Sequence, residues 1–385
     1  MAPQTPPAAP PSRRLMIGFL PGYATNERRG YSINAVPGAQ LTCLVYAFAG
    51  FAPDGPLWKA TTPEPKDTTK NFPKLQALRT TYPNLRLMIS VGGWNNSQLQ
   101  APDGGTVIAA IAADAAARTA FVTSCLDQFI RVSPPLFDGI DLDWEFPAPA
   151  DTANFAALAD EFRTQLTDAA QTAGTPYLFS ASVGINPATY GTTWGQMQDS
   201  FDWLNLMAYN LNVPHANPGQ SLTRFNAPLY PSPTEPAPQR PNIDTAVQAY
   251  LNAGVLPGKI VLGVDAYAPS YAGVAAANGG LYQPYTGLGP GTWNPGSLAY
   301  RDVFENYLPL SGAPAWDDGT QSSSMYLPSQ SVWISPQLDG DVTAKAIYAV
   351  QKRLGGLMLW ELGADTTDQN SLLGFMATAL QNTPD

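Results

Sequence analysis

Residues 137–147 read FDGIDLDWEFP, and acidic and apolar residues alternate through the middle of this stretch. Successive side chains of a β-strand point to opposite faces of the sheet. If the stretch is a strand, Asp141, Asp143 and Glu145 share one face, and the apolar residues between them share the other. The apolar face is suited to packing against helices, whereas the three carboxyl groups need water, polar partners or a substrate.

Three carboxyl groups at this spacing repel one another when ionised, so we expect at least one of them to keep its proton at neutral pH. A protonated carboxyl group beside an ionised one is suited to the acid-catalysed cleavage of a glycosidic bond. A solvated strand face and a calcium site are the two alternatives. Calcium loops carry turn-forming Gly and Asn among their acids, whereas Leu142 and Trp144 separate the acids here.

The composition limits the class of protein. The chain has 385 residues, of which 44% are hydrophobic and 13% charged, which is typical of a globular chain with room for one large core or two smaller ones. The net charge of −10 makes nucleic acid and anionic membranes poor partners. No apolar run approaches the length of a membrane span, so we expect neither nucleic acid nor a membrane as partner.

Histidine, cysteine and the amino-terminal segment give further expectations. His215 is the single histidine, which excludes a multi-histidine metal site, and we expect neither a metal nor a cofactor. Cys43 and Cys125 lie in apolar runs and are interpreted as buried thiols, with a disulfide as the alternative. Residues 1–13, MAPQTPPAAPPSR, form a Pro/Ala-rich linker without the apolar core of a signal peptide. We interpret them as the remainder after a removed export signal or as a tether, and expect a secreted, extracellular protein.

The segment from Asp138 to Glu145, DGIDLDWE, resembles the DGxDxDWE signature of glycoside hydrolase family 18, the chitinases. Further segments resemble successive barrel strands of that family, and together they cover nearly the whole chain from Leu15. They are GFLPGY at 18–23, YAFA at 46–49, SVGGW at 90–94, MAYN at 207–210 and GGLMLWEL at 355–362. The Gly92-Gly93 pair also indicates that the backbone there passes close to something bulky.

The order of the elements predicts an α/β fold. Strand-like runs that are apolar on both faces alternate with helical periodicity, for example at 115–131, 152–173, 243–253, 342–354 and 371–380. With the resemblance, this pattern predicts a (β/α)8 TIM barrel with a small α+β insertion domain between strand seven and its helix. The predicted domains are a linker at 1–13, the barrel at 14–268 and 332–385, and the insertion at 269–331, which is too long for a plain loop.

The resemblance implies a chitinase that hydrolyses β-1,4-linked N-acetylglucosamine with retention, by substrate-assisted catalysis. Glu145 would be the general acid, with its pKa raised by its acidic neighbours. Asp143 would orient the N-acetyl group and stabilise charge as the acetamido oxygen attacks the anomeric carbon. Asp141 would share a proton with Asp143, and Tyr209 would donate its hydroxyl to the acetamido oxygen. Asp138 has the opposite parity on the strand and is predicted to support the site without contacting substrate.

The resemblance also implies a set of substrate-binding residues. Trp360 would form the apolar floor under the sugar, and Trp94 would be a stacking platform on the product side. The other candidates are Met207, Asn210, Tyr267, Phe19 and Gly93. For Tyr209 and Trp360, ordinary core packing is the alternative. Asn210 stands where the family has an acid, so the pH optimum stays open. The family's arginine after Tyr267 is missing, which removes a contact to the substrate's non-reducing side.

Two other functions stay open beside the chitinase. An endo-β-N-acetylglucosaminidase acting on N-glycans can share the DxDxE core, and a chitin-binding lectin can use the same barrel. The terminal acid, Glu145, disfavours the lectin, while Trp144 and the SVGGW segment favour the chitinase. We expect a monomer whose partner is chitin or chito-oligosaccharides. By resemblance, we also predict non-proline cis peptide bonds at Ala47–Phe48, Glu145–Phe146 and Trp360–Glu361.

Overall fold

The strands that carry the sequence motifs lie side by side in one sheet of the computed structural model, which describes residues 14–102, 104–191, 193–237 and 240–384. In chain order they are β1 (Leu15–Pro21), β2 (Cys43–Asp54), β3 (Leu57–Thr61), β4 (Arg86–Gly92), β5 (Gly139–Asp143), β6 (Leu178–Val183), β7 (Trp203–Leu206), β8 (Ile260–Asp265) and, near the end of the chain, β15 (Gly356–Trp360). The strands between β8 and β15 in the chain belong to a second sheet.

The first sheet closes on itself. The order is β1-β2-β4-β5-β6-β7-β8-β15, and β15 returns to β1, while β3 only extends β2 as an antiparallel hairpin. The parallel register places Gly92 opposite Asp143, and Asp143 opposite Ser182. The carboxyl ends of β4, β5 and β6 therefore meet at one edge, which is where barrels of this kind carry their sites. The predicted TIM barrel is confirmed.

Helices follow most of the barrel strands. The α-helices of the described residues are α1 (Asn71–Thr81), α2 (Gly93–Ser97), α3 (Val107–Ala113), α4 (Ala115–Phe129), α5 (Thr152–Ala173), α6 (Trp194–Met197), α7 (Ile243–Asn252), α8 (Tyr300–Asp302), α9 (Leu308–Ser311), α10 (Asp339–Gln351) and α11 (Leu372–Asn382). Of these, α8 and α9 lie in the segment 269–331. The predicted bounds of α5 are confirmed. Helix α10 begins three residues before its predicted start, because the Asp341 carboxylate accepts a hydrogen bond from the backbone N–H of Leu338 and so satisfies the first turn.

Helix α5 shows how the sequence periodicity becomes packing. Phe155, Leu158, Phe162 and Leu166 recur at intervals of three and four residues, and all four side chains are buried. Phe155 packs against Trp144, with ring centroids 6.3 Å apart. The apolar face of the acidic strand is thus covered by a helix, as its alternation predicted.

The chain divides into two compact units. The first contains the described residues up to Met207, together with Ala249–Leu262 and Arg353–Met358. The second contains Ala208–Gln248, Gly263–Lys352 and the described residues from Leu359 onward. In the described part of the chain, no single helix has the length and apolar composition of a membrane span. Helices α3 and α4 have that length and composition only as a pair, and the pair is bent by 114°.

The second unit contains an antiparallel sheet. Its strands are β9 (Tyr267–Ala272), β10 (Gly287–Leu288), β11 (Ser297–Ala299), β12 (Ala315–Asp317), β13 (Ser322–Leu327) and β14 (Val332–Ile334). The order is β10-β9-β14-β13-β12, and β11 also pairs with β9. The segment predicted as an insertion, 269–331, contributes most of this sheet, but the insertion domain and its boundaries stay predictions. The predicted linker, 1–13, lies outside the described residues.

The state of the two cysteines and three cis peptide bonds agree with the predictions from the sequence. Cys43 and Cys125 are both free and buried, as predicted. The peptide bonds Ala47–Phe48, Glu145–Phe146 and Trp360–Glu361 are all cis, which confirms the prediction made from the resemblance.

A partly buried ion pair anchors the start of the acidic strand. The carboxylate of Asp138 accepts hydrogen bonds from two nitrogens of Arg79, at 2.7 and 2.9 Å, and from the backbone N–H of Leu87 at 2.9 Å. Side-chain exposure is 11% for Asp138 and 28% for Arg79. The contact joins α1 to β4 and the start of β5, which agrees with the supporting role predicted for Asp138.

We expect Asp138→Ala to lower the free energy of unfolding by about 2 kcal/mol, because the Leu87 N–H loses its acceptor and the partly exposed Arg79 guanidinium keeps only the Leu136 carbonyl, at 3.0 Å. Urea denaturation followed by tryptophan fluorescence measures the change. Asp127→Ala is the matched control, since Asp127 pairs with Arg131 on the surface of α4 and should cost less than about 0.5 kcal/mol. Equal losses in the two variants would contradict the anchoring role.

Candidate active site

The three acids of the predicted face lie on β5 and just beyond its end. Asp141 is fully buried, Asp143 is 3% exposed, and Glu145, two residues after β5, is partly buried. Because two of the three carboxyl groups are out of solvent, the interpretation as a solvated strand face is wrong. The described residues form no group of three or more His, Cys, Asp or Glu placed to hold a metal ion, so the calcium alternative finds no support.

Asp141 is surrounded by hydrogen-bond donors from three neighbouring strands. Ser90 Oγ on β4 and Ser182 Oγ on β6 donate to Oδ2 at 2.7 and 3.1 Å. Ser180 Oγ and Asn205 Nδ2 donate to Oδ1 at 2.6 and 3.0 Å. Burial raises the pKa of Asp141, and these donors oppose that rise because they stabilise the ionised carboxylate. A proton shared between Asp141 and Asp143 stays a prediction.

Asp143 has one carboxylate oxygen with nothing to bind. Its Oδ1 atom is buried and has no hydrogen-bond partner among the described residues. Burial raises the pKa of Asp143 well above its usual value, and the charges of Glu145 and Asp141 raise it further. An unpartnered buried polar atom is unfavourable, so this oxygen is suited to a group that enters the site.

Three residues of α2 and the position just after it, Trp94, Ser97 and Gln98, hold Glu145. Its carboxylate accepts a hydrogen bond from the backbone N–H of Trp94, its own N–H donates to Ser97 Oγ at 2.8 Å, and its carbonyl accepts from Gln98 Nε2 at 2.9 Å. Burial raises the pKa of Glu145 to about 7, while the Trp94 N–H lowers it. Desolvation of the ionised form is thus the largest cause of the rise, and the predicted contribution of the acidic neighbours stays a prediction.

A glycine pair brings β4 and α2 close to the acids. Gly92 has a φ of +113°, and a Cβ added there would lie 2.1 Å from the carbonyl oxygen of Asp143. A Cβ on Gly93 would lie 2.7 Å from the ring of Phe48. The predicted close approach of something bulky is confirmed. The turn starts α2 directly after β4, which places the Trp94 N–H and the Ser97 hydroxyl at Glu145.

Three other predicted residues belong to the first unit: one lies in α2, one in β1 and one just after β7. The Trp94 side chain is 57% exposed, which leaves its ring free for a ligand to stack on. Phe19 lies within β1 and is buried. Met207 follows β7, is partly buried, and its backbone N–H donates to Val183 O at 2.8 Å. The structure thus brings Asp141, Asp143, Glu145, Gly93 and Trp94 into one cluster.

The remaining predicted residues belong to the second unit. The rings of Tyr209 and Tyr267 meet edge to face, with centroids 6.4 Å apart and planes at 81°. Asn210 is exposed and adopts a φ of +56°. Trp360 ends β15, is partly buried, and its carbonyl accepts a hydrogen bond from Ala266 N at 2.8 Å. The roles assigned to these four residues stay predictions.

Comparisons with known proteins agree with this geometry. The family model described as "Glycosyl hydrolases family 18" matches residues 16–365. The chain belongs to glycosyl hydrolase family 18. The predicted family is therefore confirmed, and the chain is a member of a family of glycoside hydrolases.

Relatives and solved structures cover nearly all of the family 18 chain. It is 31% identical over 425 residues to chitinase A1 of Niallia circulans, covering 94% of this chain and 58% of that protein. It is 31% identical over 366 residues to chitinase 1 of Aphanocladium album, covering 90% and 80%. The structure of chitinase ChiA74 from Bacillus thuringiensis matches with a TM-score of 0.84 at 25% identity, covering 97% and 70%. The chain spans little more than half the length of the Niallia protein.

Sequence reasoning missed the partners of the acids in this family 18 site. Ser90, Ser180, Ser182 and Asn205 hold Asp141, and Ser97 holds the backbone of Glu145. A signal for two of them exists, because serines alternate with apolar residues in the β6 sequence LFSASV as acids do in β5. Only the register, which pairs Asp141 with both Ser90 and Ser180, shows that these side chains meet.

We expect Gly92→Ala to destabilise the protein by about 3 kcal/mol or more, since the added carbon meets a backbone oxygen and strains a positive φ. Thermal denaturation measures the loss, and surviving protein should have lower activity because Glu145 shifts with α2. Gly195→Ala is the control: Gly195 lies in α6 with nothing within 4 Å of an added Cβ, so the change should be neutral or slightly stabilising. A Gly92→Ala variant as stable as wild type would contradict this account.

Proposed function

We propose that this family 18 chain is a chitinase, which hydrolyses β-1,4-linked N-acetylglucosamine with retention of configuration and uses Glu145 as its general acid. The relatives reported above are named as chitinases, which supports the substrate. The observation that carries the proposal is the pairing of a Glu145 carboxyl group whose pKa is about 7 with an unpartnered, buried Asp143 oxygen.

Glu145 is suited to deliver a proton. A carboxyl group with a pKa of about 7 is protonated in a large fraction of molecules at neutral pH, yet gives up its proton readily. The Trp94 N–H hydrogen bond stabilises the carboxylate that forms when the proton has left. In the proposed first step, Glu145 protonates the glycosidic oxygen as the bond from that oxygen to the anomeric carbon breaks.

Asp143 is suited to direct the nucleophile, which the substrate supplies. Family 18 glycosidases are among those that use substrate assistance, with no second enzyme carboxylate attacking the sugar. The free Oδ1 of Asp143 would accept a hydrogen bond from the acetamido N–H, and the acetamido carbonyl oxygen would attack the anomeric carbon. The product of this step is a cyclic oxazolinium cation, whose positive charge a neighbouring carboxylate stabilises.

Water completes the proposed reaction. The Glu145 carboxylate takes a proton from the attacking water, the ring of the oxazolinium opens, and the anomeric carbon regains its first configuration. Asp141 contributes through its charge, which four hydrogen-bond donors hold in place beside Asp143. That fixed charge opposes ionisation of Asp143 in the free enzyme and favours the positive intermediate.

We expect Glu145→Gln to lower kcat by about 10²-fold to 10⁴-fold, because the amide has the same shape but no proton to deliver. In the wild type, kcat/KM should fall as the pH rises through about 7, since Glu145 must be protonated in the first step and loses its proton there. Both quantities are measured with a chromogenic chito-oligosaccharide, and binding is measured by calorimetry.

The control for this variant is Glu27→Gln, which removes an exposed carboxylate of the same type and should leave kcat and its pH profile unchanged. Glu145→Gln should still bind oligosaccharide and unfold at the wild-type temperature. Turnover of Glu145→Gln at the wild-type rate would remove Glu145 from the role of acid.

We expect chitin hexamers to be cleaved and fully deacetylated chitosan to be left intact, because the deacetylated sugar lacks the attacking oxygen. Nuclear magnetic resonance of the first products should show the β-anomer. A high-mannose glycoprotein is the comparison substrate, and its preferential cleavage would favour an endo-β-N-acetylglucosaminidase. Efficient cleavage of the deacetylated polymer, or an α-anomer as first product, would rule out the substrate-assisted mechanism.

A further inference from the structure

Trp316 presents its indole ring to solvent on β12, the edge strand of the second sheet. It is 41% exposed, and Trp94 is the other tryptophan of the described residues whose exposure exceeds a third. Tryptophan is enriched at binding interfaces and among the residues that contribute most to binding. Trp316 is not among the residues to which the proposed reaction assigns a role.

The ring of Trp316 is held in one orientation. Its Nε1 donates a hydrogen bond to Asp318 Oδ1 at 2.8 Å. Behind the ring lies Gly340, in the first turn of α10, where an added Cβ would stand 3.4 Å from the six-membered part of the indole. Backbone thus covers one side of the ring while the residue as a whole stays exposed.

The turn that follows Trp316 is locked by side-chain hydrogen bonds. Asp317 Oδ1 accepts from Thr320 N and Thr320 Oγ1 at 2.7 and 2.8 Å. Gln321 Nε2 donates to the carbonyl of Asp318 at 2.8 Å. A platform that is already ordered loses little conformational entropy when a ligand binds, so the turn prepares the exposed ring for contact.

The surroundings of the ring define the chemistry of a partner. The charged neighbours in sequence and in the first turn of α10 are Asp317, Asp318, Asp339 and the buried Asp341, all acidic, which disfavours an anionic ligand. Carboxylates accept hydrogen bonds from hydroxyl groups, and the apolar C–H face of a pyranose packs on an indole. Trp316 is the one large exposed apolar residue of β12 and the turn 317–321, and the others of the second unit, Val213, Leu310 and Ile347, lie on other segments. A standard protein interface, by comparison, covers about 800 Å² of each partner.

We propose that Trp316, with Asp318 and the turn 317–321, forms a second glycan-binding surface that adsorbs the enzyme to a neutral, insoluble polysaccharide. The identification of that polysaccharide as chitin rests on the proposed function. This surface affects adsorption to the polymer and not the catalytic step. A polymer that stacks on Trp316 keeps the enzyme near its substrate, whereas soluble oligosaccharides reach the acids without binding to Trp316.

The test compares the adsorption of full-length Glu145→Gln and Glu145→Gln/Trp316→Ala proteins to crystalline chitin, so that the polymer is not consumed. We expect half-saturation at a protein concentration roughly fivefold to tenfold higher without the Trp316 ring, as for the loss of an aromatic anchor. Trp316→Phe should restore much of the adsorption. In the catalytically intact background, Trp316→Ala should slow the hydrolysis of crystalline chitin and leave kcat/KM for a soluble trimer unchanged.

The matched control is Leu310→Ala, which removes another exposed apolar side chain of the second unit and should leave adsorption unchanged. Equal adsorption with and without the Trp316 ring would overturn the proposal, as would binding of wild type to none of chitin, cellulose and xylan. A concentration-dependent dimer that Trp316→Ala abolishes would assign the ring to a second copy instead. If chitin is adsorbed through Trp316 but not hydrolysed, the proposed function fails while the glycan-binding surface stands.

Discussion

The burial of the Asp141 carboxylate inside the barrel is the constraint on which the site depends. A carboxylate removed from water is tolerated when several donors replace the lost solvent. Here the donors come from β4, β6 and β7, so the charge can be held only when strands far apart in the chain are in register. The same contacts that stabilise Asp141 align the ends of those strands and fix the position of Asp143.

Burial also sets the acid–base chemistry of the next two carboxyl groups. Desolvation is the largest cause of the raised pKa of both Asp143 and Glu145, and electrostatic repulsion adds to it for Asp143. The difference between the acids lies in their partners: Asp141 has four donors, Glu145 has the Trp94 N–H, and one oxygen of Asp143 has none. Three carboxyl groups on β5 and just beyond its end therefore have three different electrostatic environments.

The second unit buries charge in a different way. Lys345 is buried, and the loss of solvent lowers its pKa. The negative charges of Asp265 and Asp341 partly oppose this effect. Burial raises the pKa of Asp265 to about 6, although the Lys345 charge and Asn226 Nδ2, at 2.6 Å, oppose the rise. Lys345 lies in α10 and Asp265 ends β8, just before Tyr267, so the attraction between their charges acts next to a predicted substrate residue.

Local patterns determined much of this protein, because strand alternation, helical periodicity and the DGIDLDWE segment depend on neighbours in sequence. They were sufficient for the barrel, the bounds of α5, the shared face of Asp141, Asp143 and Glu145, the close approach at Gly92-Gly93 and, through family resemblance, the cis bonds. Strand register and burial are set by residues distant in sequence. Only the tertiary structure therefore decided that serines of β4 and β6 hold Asp141, that desolvation is the largest cause of the raised pKa of Glu145, and that Trp316 stands exposed while Trp333, on the same sheet, is buried.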